Sequence, residues 1–132
     1  MTLFSKKSND ILVSVEPQFL EDQSRPEEND YLWAYHIRIE NNSNVSVQLK
    51  SRIWRIIDAH GIMDEVVGEG VVGEQPILDP GEIFEYSSVV PLKTPSGIMS
   101  GQYKMITELG DPLSIDIPAF SLDCPFDIST LH

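Results

Sequence analysis

The stretch "DYLWAYHIRIENNSN", Asp30 to Asn44, carries the strongest structural signal in the chain. Tyr31, Trp33, Tyr35, Ile37 and Ile39 fall on one side of a period of two; Leu32, Ala34, His36, Arg38 and Glu40 fall on the other. Aromatic and β-branched side chains at that spacing pack well on a pleated surface, so the run reads as a strand. Trp33, Tyr35, Ile37 and Ile39 are expected to alternate into a core. "NNSN", Asn41 to Asn44, reads as a turn, because short polar side chains can satisfy neighbouring backbone groups. The chain then enters "VSVQLKSRIWRIID", and the two runs are expected to form an antiparallel pair. In the second run Val47, Leu49, Ile53 and Ile57 share one parity, and Trp54 and Ile56 take the other.

Working outward, "ILVSVEPQF" places Ile11, Val13 and Val15 on one face, with Pro17 marking an edge or an end. "LEDQSRPEEND" has no apolar period and reads as an exposed loop. Beyond Ile62 the pattern is strand, turn, strand. "DPG" at Asp79 to Gly81 turns the chain, "IFEYSSVV" aligns Phe84, Tyr86, Ser88 and Val90, and "LSIDIPAF" alternates Leu113, Ile115 and Ile117 against Ser114 and Asp116. Six or seven short strands with no helix predict an all-β antiparallel β-sandwich, since each strand has one apolar face to bury. Trp33, Tyr35, Ile37, Ile39, Trp54, Phe84 and Tyr86 are its expected core. Residues 1–10 read as a flexible lead, 11–126 as the single domain, and 127–132 as a tail.

The chain has 132 residues, with 21 acidic and 9 basic, for a formal net charge of -12. Such a surface repels phosphate backbones and anionic lipid, which argues against nucleic-acid and membrane partners. No run of about 18 apolar residues could span a bilayer, and residues 1–10 hold no apolar run long enough for a signal peptide. The single cysteine, Cys124, has no intramolecular partner and reads as an inert thiol. These features suit a cytoplasmic protein.

"GEGVVGEQP", Gly68 to Pro76, contains G-x-G-x-x-G. In a dinucleotide site the glycines are followed by a helix whose free N–H groups hold the pyrophosphate. Here Pro76 and Pro80 leave no room for one, and Glu69 and Glu74 carry the wrong charge. The favoured reading of Gly68, Gly70 and Gly73 is a bulge or tight crossing beside Val71 and Val72, which prefer extended backbone. An anion held by exposed N–H groups is the alternative. "DAHGIMDE" offers one set of candidate metal ligands, Asp58, His60, Asp64 and Glu65, suited to a divalent ion such as magnesium or cobalt. No catalytic constellation is visible: Ser87 and Ser88 lie inside a strand run, and His36 reads as an exposed residue.

The blocks "YLWAYHIRIEN", "VQLKSRIWRIIDAHG", "EVVGEGVVGEQPILDPGEIFEYSSVVPLKTPSGIMSGQYKM" and "IPAFSL" resemble, in order, those of the ApaG family, from about Val13 to Pro125. The resemblance implies a fibronectin type III/immunoglobulin-like sandwich of about seven strands. It also implies a link by name and genetics to cobalt and magnesium resistance. The same domain is attached to eukaryotic F-box proteins and to a polymerase-delta-interacting protein, where it looks like a protein-interaction module. A pyrophosphate or nucleotide site discussed for that family would fall on Gly68, Gly70 and Gly73. The expected function is a non-catalytic adaptor acting through an unidentified protein partner or a second copy of the chain, with no cofactor and an indirect role in cation homeostasis. The alternative is a small-molecule-binding protein or enzyme using the glycine loop, with or without a divalent metal.

Overall fold

A computed structural model describes residues 2–125, so the tail expected at 127–132 lies outside the described residues. Nine strands follow one another: β1 Phe4–Ser8, β2 Ile11–Phe19, β3 Tyr31–Asn41, β4 Val47–Asp58, β5 Met63–Glu69, β6 Ile77–Leu78, β7 Ile83–Leu92, β8 Ser96–Thr107 and β9 Pro112–Asp123. Only two single 3-10 turns, Glu21–Gln23 and Pro26–Glu28, interrupt them, both in the acidic loop before β3. One sheet has the order β1-β2-β3-β7. The facing sheet has the order β5-β4-β8-β9, with β6 added on β4 beyond the end of β5. Every pairing is antiparallel. Setting aside β1 and the two-residue β6, the sandwich has the seven strands that the alternating runs predict.

Strand β3 behaves as its sequence dictates. Tyr31, Trp33, Tyr35, Ile37 and Ile39 are all buried, and β2 and β7 flank them on either side. Trp54 and Tyr86 are buried as well, and Phe84 is partly buried against the same core. The sheets meet through aromatic rings. Tyr35 and Trp54 approach edge-on at 5.3 Å between centroids, the arrangement that ring quadrupoles favour, and Tyr35 also meets Phe120 of β9 at 6.2 Å. The turn after β3 is fixed by Asn41, whose buried amide donates to the carbonyls of Val45 and Leu78 at 2.8 and 2.9 Å.

Two features depart from the sequence reading. Residues 1–10 are not a loose lead throughout: Phe4–Ser8 pair with β2 from Phe4↔Val15 to Ser8↔Ile11. Asn9 and Asp10 both have positive φ, 49° and 61°, as a two-residue hairpin of matching twist requires. Phe4 packs on Phe120 at 6.1 Å, and Lys6 reaches Asp116 on β9 at 3.1 Å. That flank of the sandwich is thereby closed.

The second departure is in β4. Leu49 and Ser51 pair with the consecutive residues Met105 and Lys104, so Lys50 is an extra residue in a β-bulge. Before it, Val47 and Leu49 face the core; after it, Trp54 does. The bulge explains why the run is apolar on both parities, and it leaves Ile57 38% exposed. Trp54→Ala is expected to cost about 3–5 kcal/mol in urea unfolding. Ile57→Ala on the same strand should stay within about 0.5 kcal/mol. The reverse ranking would contradict the bulged register.

Candidate functional site

Opposite the closed flank, the free edges of β5 and β7 leave a groove between the sheets. Because of the bulge, Arg52 sits on the inward parity of β4, paired with Gly68 on β5 and Tyr103 on β8. Its Nη1 donates to the carbonyl oxygens of Gly70 at 2.6 Å and Glu69 at 3.2 Å. Gly68 makes this placement possible: a Cβ there would lie 2.8 Å from Nη1 and 3.0 Å from Cζ. No carboxylate among the described residues comes within ion-pair distance of the guanidinium.

Tyrosines and a serine complete the polar floor. Tyr86 on β7 and Tyr103 on β8 join the two sheets through a hydroxyl–hydroxyl hydrogen bond of 2.6 Å. Burial pushes the phenols of Tyr35, Tyr86 and Tyr103 upward, and the nearby Arg52 charge only partly offsets it. All three therefore remain neutral hydroxyls at physiological pH. Ser88 lies opposite Tyr35 in register. Arg52, Tyr35, Tyr86 and Ser88 line a cavity of about 310 Å³, with apolar walls from Trp54, Val66, Val72 and Met99; Tyr103 lies beneath it, fully buried. The Trp54 indole Nε1 is buried and has no acceptor among the described residues.

The glycine segment builds the rim of this groove. Gly70 N–H donates to Lys50 O at 2.9 Å, at the bulge itself. Val71 and Glu74 then exchange N–H···O bonds of 2.8 and 2.9 Å around Val72 and Gly73, whose φ values are 43° and 82°. This is a tight two-residue hairpin that plants the fully buried Val71 in the core. Val72 is thus not extended as its side chain prefers; the reciprocal bonds hold it in a region that β-branched residues avoid. Gly70 has φ 62°, and a Cβ there would collide with the Glu74 carbonyl. Among the described residues no helix follows Gly73; the amides of Val71 and Glu74 are spent inside the hairpin and that of Gly70 on the bulge carbonyl of Lys50. The three glycines shape the backbone here, and Gly68 gives Arg52 its seat.

The candidate metal ligands are not brought together. Asp58 Oδ1 accepts from the N–H groups of His60 at 2.8 Å and Ile62 at 3.0 Å, closing the β4–β5 turn. Glu65 pairs with Arg55 at 3.3 Å, and Asp64, the adjacent strand residue, projects to the opposite face. Among the described residues no three His, Cys, Asp or Glu side chains converge as a metal set. Cys124 is buried.

Sequence reasoning missed one alignment. On the outer face of the first sheet His36 Nδ1 lies 2.8 Å from Ser87 Oγ, and Nε2 lies 2.9 Å from Glu85 Oε1. The three residues come from two strands 49 or more positions apart, so no local motif announces them. His36 and Glu85 are 47% and 52% exposed on an open sheet face. Serine nucleophiles work with preorganised donors in a water-excluded site, and this face excludes no water. A larger cavity, about 540 Å³, lies at the other end of the sandwich between Phe4, Phe19 and Trp33. It carries the carboxylates Glu21 and Asp123, no cation, and a wall that ends at Pro125, the last described residue. The Arg52 groove is the better candidate, because a half-buried cation, hydroxyl-bearing residues and apolar walls meet there.

An ApaG domain family model matches residues 21–107 of the chain. The chain belongs to the ApaG family. The Protein ApaG of Brucella anthropi is 58% identical over 122 residues, covering 92% of this chain and 94% of that protein. The Protein ApaG of Parvibaculum lavamentivorans is 52% identical over 130 residues, covering 98% of this chain and all of its relative. Among solved structures, a Bordetella pertussis protein described as ApaA superposes with a TM-score of 0.86 at 44% identity, over 91% of this chain and 98% of that one. The C-terminal domain of wzt shares the fold alone, with a TM-score of 0.56 at 10% identity over 92% of this chain and 77% of that one. ApaG membership accords with the two-sheet architecture built above.

Two outcomes follow from this geometry. Gly70→Ala should lower stability by about 1–3 kcal/mol in thermal melts, through backbone strain and the Glu74 contact, while Glu69→Gln stays within about 0.5 kcal/mol. Separately, the His36 hydrogen bond holds the Glu85 carboxyl below the usual glutamate range. A depressed folded-state value means that whatever the pair contributes is present above the unfolded-state value and is lost as pH falls through the folded one. In an NMR titration, His36→Ala should return Glu85 to the ordinary range; an unmoved Glu85 would show that the pair is not formed in solution.

Proposed function

We propose that the chain is a non-catalytic binding domain that acts through a protein partner docked on the open flank between β5 and β7. The observation that carries this reading is the state of β5. It is an edge strand with six of its seven residues exposed, and one of its two backbone edges has no neighbouring strand among the described residues. Met63 and Val67 on β5, with Val72 and Val89 beside the groove, leave apolar surface facing water. Unpaired strand edges with nearby apolar side chains recruit extended segments of other chains. The carboxylates of Asp64, Glu65 and Glu69 lie on the same strand, so two copies aligned edge to edge would bring like charges together. That favours a partner segment bearing lysine or arginine over a second copy of this chain.

In this reading the domain works in the cytoplasm. Any link to cobalt or magnesium handling runs through the partner: among the described residues no helix is long and apolar enough to cross a membrane. A photoreactive residue at Val67, 65% exposed on β5, is expected to crosslink one discrete basic partner from native lysate; the same group at Leu109, in the β8–β9 turn, is not. Capture no better than background at Val67, or equal capture at both positions, would count against the proposal. A dominant self-adduct at Val67 would assign the edge to a homodimer instead.

A further inference from the structure

We propose that the groove between β5 and β7 is a binding site for a small organic carboxylate with an apolar body, its carboxylate on Arg52 and its body against Trp54, Val66 and Met99. The first argument is charge. In a chain of net charge -12, Lys6, Lys7, Arg25, Arg38 and Arg55 each stand within 4.0 Å of a carboxylate. Lys104 is bonded to Ser114, and Lys50 and Lys93 are exposed. Among the described residues, Arg52 alone is half-buried between the sheets with no carboxylate within ion-pair distance. A guanidinium withdrawn from water without a counter-ion is costly, and a bound anion relieves that cost.

The second argument is geometry. The carbonyls of Glu69 and Gly70 occupy Nη1 and fix the plane of the guanidinium, while Nε and Nη2 have no acceptor among the described residues. Those two donors form the fork that a carboxylate accepts with two parallel bonds. Trp54 lines the same cavity with its ring, and Ser88 lines it from β7.

The third argument selects the ligand class. One guanidinium balances one negative charge. A phosphate dianion or pyrophosphate would leave charge uncompensated next to a loop that already carries Glu69 and Glu74. The walls are apolar, and about 310 Å³ is the lower end of the range for small-molecule sites, about 300–1,000 Å³. A phenyl or short alkyl body fits that volume. The inference needs only the groove and does not depend on the protein partner proposed for the same flank, whose docking is read separately at the outward-facing Val67.

The test is an NMR titration of the full chain with 3-phenylpropionate, its neutral amide and pyrophosphate. 3-Phenylpropionate is expected to produce saturable shifts at the Trp54 indole, Val66 and Ser88. The amide should bind about tenfold more weakly or worse, and pyrophosphate more weakly than the carboxylate. Arg52→Gln should weaken 3-phenylpropionate by about tenfold. Since Arg52 also braces the glycine hairpin, Val66→Glu provides a second variant. It sets a carboxylate at a wall position 45% exposed, leaves the brace intact, and should weaken binding similarly with an unchanged melting temperature. Equal binding of acid and amide would reduce the site to an apolar hollow, and tighter pyrophosphate binding would make it a phosphate site; either overturns the proposal. So would the absence of any saturable shift with 3-phenylpropionate, or full affinity in folded Val66→Glu.

Discussion

One extra residue in β4 organises this molecule. Lys50 is out of register with β8, and everything downstream on the strand is turned to the other face. Without the bulge, Ser51, Ile53 and Arg55 would face the interior, and Arg52 and Trp54 would face water. With it, Trp54 enters the aromatic contact that joins the sheets, and Arg52 enters the groove. The same bulge leaves the Lys50 carbonyl free to accept from Gly70 N–H and from the Gln75 side chain at 2.8 Å. The glycine hairpin is therefore anchored at the point where β4 changes face.

From that anchor the site follows by short steps. β5 ends beside the bulge, and the chain makes its tight turn at Val72-Gly73 before continuing in the same direction along β4 as β6. The turn exposes the carbonyls of Glu69 and Gly70 to Arg52, and Gly68 supplies the space for its guanidinium. Each glycine of the motif has a mechanical reason to be there, and none of those reasons involves a phosphate. The Tyr86–Tyr103 bond ties the two sheets together under the groove, so the cavity floor is built from packed, neutral hydroxyls on strands rather than from mobile loops.

The two flanks of the sandwich are unequal, and the inequality has a physical basis. On one side β1 folds back through a tight hairpin and meets β9 through Lys6, Ser8 and Asp116. On the other, β5 and β7 end their sheets with nothing across the gap among the described residues. Acidic side chains on β5 blunt that edge against its own kind, a common defence of exposed strands. The Ser87–His36–Glu85 line on the outer sheet face resembles catalytic machinery in its atom pairs only; it sits in open water, where such bonds order surface charge.

The sequence by itself determined the class of fold. The period-two run of β3, the turn residues and the lack of helical pattern required antiparallel sheets, because local backbone preference and one-sided burial point the same way along those segments. It also determined the acidic balance of the chain, and Pro76 keeps a helix from following the glycines. Residues 4–8 escaped because five mostly polar residues carry no apolar period; a partner strand and the Phe4–Phe120 contact make them a strand. Tertiary structure alone decided the bulge, and through it which side of β4 faces in, because both parities of that run are apolar and either could have been buried. It likewise decided that Arg52 lies over Gly68, 16 positions away in sequence, and that Asp58, His60, Asp64 and Glu65, close in sequence, have different neighbours. Spacing along a chain fixes side-chain direction only while the register holds. Where a strand gains a residue, the neighbouring strands choose the face.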